Sequence, residues 1–122
     1  MTEKNLRQIF EKTSGHCHFC GDPIKFANRG FSEIPDGHWE VDHVIQRDKG
    51  GAESPKNCLP ACTRCNRLRW HRTGDGIRDL LFFGVIATKE IKNRTPIGME
   101  LSRLKDERLS RNVARRRTRR PQ

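Results

Sequence analysis

Cys17-x-x-Cys20 and Cys62-x-x-Cys65 are two pairs whose spacing suits a tetrahedral thiolate shell around zinc. Four sulfurs leave no coordination position for water or substrate, so the zinc is expected to be structural. Chemistry should then belong to what the metal holds in place. Between the pairs stands Trp39-Glu40-Val41-Asp42-His43, and Asn66 follows the last cysteine directly. Hydrolysing a phosphodiester needs an activated water, neutralisation of charge on the phosphate, and help for the departing oxygen. An imidazole with an ordinary pKa of about 6.5 can take a proton from water near neutral pH, and His43 suits that role. Asp42 and Asn66 offer hard oxygen ligands, which favour Mg2+ or Mn2+ over zinc.

Each residue also has a plainer reading. His43 can be a half-buried histidine satisfied by a carbonyl, and Asp42 a strand-end cap. Asn66 can cap the helix that follows it, because asparagine is among the preferred N-caps. His71 competes with Asn66 as a third ligand, but five residues along a helix turn it about 140° from the Asn66 face. His16 and His18 flank Cys17 and can replace a thiolate, although four sulfurs make the simpler site. Cys58, the odd cysteine in Asn57-Cys58-Leu59-Pro60, reads as a small core residue.

Around these groups the pattern gives three parts. Leu6, Ile9 and Phe10 have helical spacing across residues 3–13, with Thr2 as N-cap. A cysteine knuckle, a hairpin and a loop lead to Gly37, and a short strand through Trp39 and Val41 delivers Asp42 and His43 at its end. Gly50-Gly51 marks a turn, Ser54-Pro55 opens a helical turn holding Asn57, and a helix runs from Cys65 towards Gly74. Residues 76–110 read as a helical extension interrupted at Pro96-Ile97-Gly98, and residues 111–122 as a basic, disordered tail. The expected divisions are thus 1–75, 76–110 and 111–122.

The chain has 122 residues, of which 33% are hydrophobic, which excludes a large core and favours a metal staple. Five cysteines argue against a disulfide framework, and no leader or apolar run of about 18 residues appears. A cytoplasmic setting, without membrane association, is expected. The net charge is +10, and residues 103–122 carry nine of the 25 Lys+Arg against two of the 15 Asp+Glu. Such a basic surface fits nucleic acid, and the arginine run gives salt-sensitive, sequence-independent affinity. Candidate DNA contacts are Arg47 and Lys49 beyond His43, Arg64, Arg67, Arg69 and Arg72 after the cysteines, and Arg115, Arg116 and Arg117 in the tail.

The ordered succession Cys17-His-Phe-Cys20-Gly, Trp39-Glu-Val-Asp42-His43-Val-Ile, Asp48-Lys-Gly50-Gly51, Asn57-Cys-Leu-Pro and Cys62-Thr-Arg-Cys65-Asn66 resembles the HNH endonucleases. The likeness is to those whose ββα-metal (His-Me finger) motif is stapled by a four-cysteine zinc, and it covers roughly residues 15–72. The third letter is Asn66 instead of His, an H-N-N variant of the family. The resemblance implies a small α+β protein with a ββα-metal core and a helical, basic C-terminal extension. It implies His43 as general base, Asp42 and Asn66 as ligands of a catalytic Mg2+ or Mn2+, and Asn57 as the support of the loop bearing His43. Duplex DNA would be nicked by a one-metal mechanism to 5′-phosphate and 3′-hydroxyl ends, one strand per site, with a homodimer or a restriction or phage partner protein for two. The source implied is a bacterial cell or its phage. Two alternatives fit these residues less well. A non-catalytic zinc module binding nucleic acid leaves Asp42, His43, Asn57 and Asn66 unexplained. The deaminase-like echo in His38-Trp39-Glu40 and Pro60-Ala61-Cys62 leaves Cys17 and Cys20 without a role.

Overall fold

The computed structural model of the chain describes residues 1–34, 36–70 and 73–111. His71, Arg72 and the tail arginines Arg115, Arg116 and Arg117 lie outside the described residues, as does the expectation of a disordered tail. The architecture is α+β: a two-stranded antiparallel sheet with four α-helices among the described residues.

Helix α1 (Glu3–Glu11) is capped by Thr2, whose hydroxyl accepts from the Asn5 amide at 3.1 Å. It stops two residues before the expected end, where Ser14 (φ 52°) and Gly15 (φ 76°) turn left-handed. Its apolar face supplies Ile9 to a core of Ile24, Trp39 and Cys58, ringed by Leu6, Phe10, Phe26 and Val41. Phe10 packs 5.5 Å from both Phe26 and Trp39, and the Trp39 indole donates to the Phe26 carbonyl at 3.2 Å. Cys58 is fully buried here, as its small side chain suggested.

Strand β1 (Trp39–His43) pairs antiparallel with β2 (Cys58–Cys62), with Trp39 opposite Cys62, Val41 opposite Pro60 and His43 opposite Cys58. The residues alone gave no sign of β2 because Pro60 sits at its centre and proline is depleted from strands. Pro60 is tolerated because its carbonyl still bonds outward, to the His18 amide at 2.9 Å. Between the strands, Gly50 adopts φ 87°, and a Cβ on Gly51 would lie 1.7 Å from the Ile45 carbonyl oxygen. This glycine pair allows the bend that returns the chain through the turn Pro55–Asn57 to β2.

Helix α2 (Thr63–Trp70) starts two residues earlier than expected. The Cys62 sulfur stands at its N-cap and accepts from the Cys65 amide at 3.4 Å. Then α3 (Gly74–Lys92) and α4 (Pro96–Ser110) form a helical hairpin. Pro96-Ile97-Gly98 does not interrupt it as expected, because Pro96 occupies the first turn of α4, where its missing N–H costs nothing. The break falls instead at 93–95, with Arg94 at φ 54° and the Thr95 hydroxyl accepting from the Gly98 amide at 3.1 Å. The far end of α4 returns to the first cysteine pair. Arg108 donates to the Cys20 carbonyl at 2.8 Å and to Asp22 at 2.6 Å, and Arg111 donates to the Gly21 carbonyl at 2.8 Å.

The hairpin closes at Gly98, where an added Cβ would lie 1.9 Å from the Glu90 carbonyl oxygen. Helix propensity alone favours alanine there. Backbone contact should win, so Gly98→Ala should destabilise by about 1–3 kcal/mol. Chemical denaturation followed by circular dichroism checks the sign; an unchanged or raised midpoint contradicts it.

Candidate functional site

Two turns present the four cysteines. In the first, the Gly21 amide donates to the Cys17 carbonyl at 2.9 Å, and the Phe19 and Asp22 amides point at the sulfurs of Cys17 and Cys20, each at 3.4 Å. In the second, Cys62 ends β2 and Cys65 lies in the first turn of α2. The four sulfurs lie within 4.8 Å of one another, with Cys20 and Cys62 at 3.9 Å. Zn–S bonds of about 2.3 Å in a tetrahedron put sulfurs about 3.8 Å apart, so this donor set fits zinc. Without metal the thiols cannot titrate independently: hydrogen bonds from Cys20, Cys62 and Cys65 hold Cys17 down, and its neighbours push Cys65 up. Neither flanking histidine competes. His16 Nδ1 meets the Thr13 carbonyl at 3.1 Å, and His18 turns inward.

His18 carries the zinc knuckle's influence into the site. Its Nε2 lies 2.8 Å from Asp42 Oδ2, and both side chains are buried. Arg69 on α2 donates to both Asp42 oxygens, at 2.8 and 2.6 Å, and its guanidinium stacks 4.2 Å over the Trp70 ring. Asp42 therefore faces the knuckle and α2, on the side of β1 opposite His43, as strand alternation requires. The sequence offered one clue to His18, its place beside Cys17, but not the partner.

His43 looks onto an open cleft of about 420 Å³, lined also by Val41, Arg47, Asp48, Asn66 and Trp70. Its Nε2 lies 3.1 Å from Glu53, a loop residue that no spacing could have singled out and that also meets Arg47 at 3.5 Å. Asn57 cinches the loop after His43. Its amide donates to the Ile45 and Ala52 carbonyls at 3.0 and 2.9 Å, while its side-chain oxygen accepts from the Ile45 amide at 2.9 Å. Its backbone carbonyl accepts from Val44 at 2.8 Å.

Asn66 is the fourth residue of α2 and not its N-cap, so the capping explanation for it fails. Among the described residues its side-chain oxygen is buried without a hydrogen-bond partner, which is a costly state for an acceptor and one that a hard cation would relieve. The structure thus brings His43 and Asn66 to one cleft, while Asp42 lies behind it. A divalent cation fits the donor at Asn66; at Asp42 it fits only in place of the guanidinium.

Among the candidate DNA contacts, Arg47 is exposed on the cleft rim and Lys49 is exposed beside it. Arg67 is engaged by Glu40 at 3.2 Å and lies 4.5 Å over Phe31, and Arg69 is held by Asp42. Glu40, the acid of the deaminase-like echo, is thus an ion-pair partner.

Residues 17–72 match the family described as HNH endonuclease. Two curated proteins are similar to the chain. The type IV methyl-directed restriction enzyme EcoKMcrA of Escherichia coli (strain K12) is 29% identical over 80 residues, covering 63% of this chain and 27% of that protein. The CRISPR-associated endonuclease Cas9 of Corynebacterium diphtheriae is 29% identical over 63 residues, covering 51% of this chain and 5% of that protein. The chain therefore spans a minor part of either relative. No solved structure matches.

Two outcomes follow from this geometry. Asp42→Ala strands the buried His18 and leaves Arg69 without its carboxylate, so stability should fall by about 2–4 kcal/mol in denaturant titration. A loss below about 0.5 kcal/mol would show that the cluster contributes little. Purified protein should carry stoichiometric zinc by atomic emission, and Cys62→Ser should lose both the metal and the cooperative unfolding transition.

Proposed function

We propose that the chain is a metal-dependent DNA endonuclease that nicks one strand per site, leaving 5′-phosphate and 3′-hydroxyl ends. The observation that carries this reading is the shared cleft, with an imidazole on one wall and the partnerless, buried Asn66 oxygen on another. His43 is the general base. With Nε2–H directed at Glu53, Nδ1 remains the acceptor for a proton from water. Glu53 is a positioning residue that fixes this tautomer, and Asn57 holds the loop so that the imidazole keeps its place. Arg47, on the cleft rim, supplies positive charge for the phosphate backbone, with Lys49 beside it. An Mg2+ or Mn2+ ion held by Asn66 would neutralise charge on the scissile phosphate and stabilise the leaving oxygen, and Asp42, now turned behind the cleft, would join it only on leaving Arg69.

One observation favours a second reading, a zinc module that binds nucleic acid and cuts nothing. Asp42 is already ion-paired with Arg69 and within hydrogen-bond distance of His18, so its carboxylate is explained without a second metal. Function in that case does not need His43.

Supercoiled plasmid incubated with Mg2+ or Mn2+ separates the readings. Wild type should convert it to open circles. Zinc-replete His43→Ala should nick at least about 100-fold more slowly while binding DNA equally, and Glu53→Ala should show a smaller loss. Equal cleavage by His43→Ala removes it as the base. DNA binding without cleavage by any form supports the binding module.

A further inference from the structure

Helix α3 carries more apolar surface than its own hairpin covers. Ile77, Leu81, Phe82, Val85 and Ile86 recur at i, i+4, i+5, i+8 and i+9, and they are 39, 64, 61, 54 and 44% exposed. At 100° per residue they share one broad face. The residues of α3 that α4 shelters are elsewhere: Ala87, Glu90 and Ile91 are the half-buried ones near the hairpin's closed end. Along the open face runs a groove of about 670 Å³, edged by Arg78 and Lys89. The five side chains expose roughly 500 Å², near the upper end for a patch on a monomeric protein. With the flanking Asp75, Arg78 and Lys89 the face approaches the ~800 Å² per partner of a standard stable interface.

Charge selects the occupant. Asp75 lies two residues before the apolar run and Lys89 three residues after it. Two copies packed antiparallel across this face put Asp75 of each beside Lys89 of the other, twice over. They also set the aliphatic stem of each Arg78 against apolar side chains. A parallel arrangement would oppose Arg78 to Arg78 and Lys89 to Lys89. The antiparallel pair is isologous, closes on itself and leaves no copy of the patch uncovered.

We infer that α3 is a self-association surface, on which a second copy of this chain packs antiparallel through Ile77, Leu81, Phe82, Val85 and Ile86. The readout is oligomeric state, so it does not depend on whether the cleft cuts DNA.

Sedimentation equilibrium of the full, zinc-loaded chain in the micromolar range should give twice the 14.2 kDa monomer mass. Leu81→Glu should give the monomer mass with zinc content and thermal unfolding retained, since the side chain it replaces is exposed. Asp75→Lys should weaken the dimer by about tenfold, and adding Lys89→Asp should restore it, as double-mutant logic requires of a direct pair. A wild-type chain that stays monomeric, or a Leu81→Glu chain that still dimerises, overturns the inference. A dimer indifferent to Asp75→Lys overturns the antiparallel pairing.

Discussion

The four-sulfur cluster is the constraint on which the other contacts depend. It joins a turn near the N-terminus to the end of β2 and the start of α2, with Cys20 and Cys62 separated by 42 residues. Closing a loop of that length is entropically costly, and the apolar core available to offset it is small: Ile9, Ile24, Trp39 and Cys58. Metal ligation can supply the difference because thiolates bind zinc only when folding assembles them. The cluster also sets orientation. Cys62 caps α2, so that helix's rotation and start are fixed by the same sulfur that binds the metal, and Asn66 inherits its position one residue beyond Cys65.

Behind the sheet, the second constraint is electrostatic. A carboxylate with no solvent exposure must meet positive charge or hydrogen-bond donors, and Asp42 meets Arg69 and His18. This places a strand residue, a zinc-knuckle residue and a helix residue in one charged cluster. The cleft face of β1 is its opposite: His43 has an exposed carboxylate neighbour, and Asn66 has an oxygen with no donor among the described residues. Saturation on one side of the strand and deficiency on the other is how a sheet of two strands separates a supporting layer from a cleft-lining one.

Much of this was legible because the informative residues are chemically distinctive. The cysteine pairs, Thr2 as a cap and the Gly50-Gly51 bend each have few physical uses, and the structure puts them to those uses. What escaped was non-local or hidden by composition. β2 was invisible because a proline flanked by cysteines has no strand signature, and its pairing is evident only opposite Val41. Glu53 is one acidic loop residue among fifteen acidic residues in the chain, and only the folded turn brings it to His43. The reading of Arg67 and Arg69 as candidate DNA contacts did not foresee their carboxylates for the same reason: Glu40 and Asp42 lie 27 residues away in the chain. Pro96 was read as an interruption because a proline stops a helix when met from one side and starts one when met from the other.

The return of α4 to the first cysteine pair has a thermodynamic corollary. Arg108 and Arg111 bond the carbonyls of Cys20 and Gly21, the backbone that carries two of the four sulfurs. Free-energy coupling between two sites is necessarily mutual. Ordering of the helical hairpin must therefore tighten the grip on the metal by the same factor by which the metal orders the hairpin. An event on the distal helices is thus registered at the thiolates, and the occupancy of the thiolates is in turn legible at the distal helices.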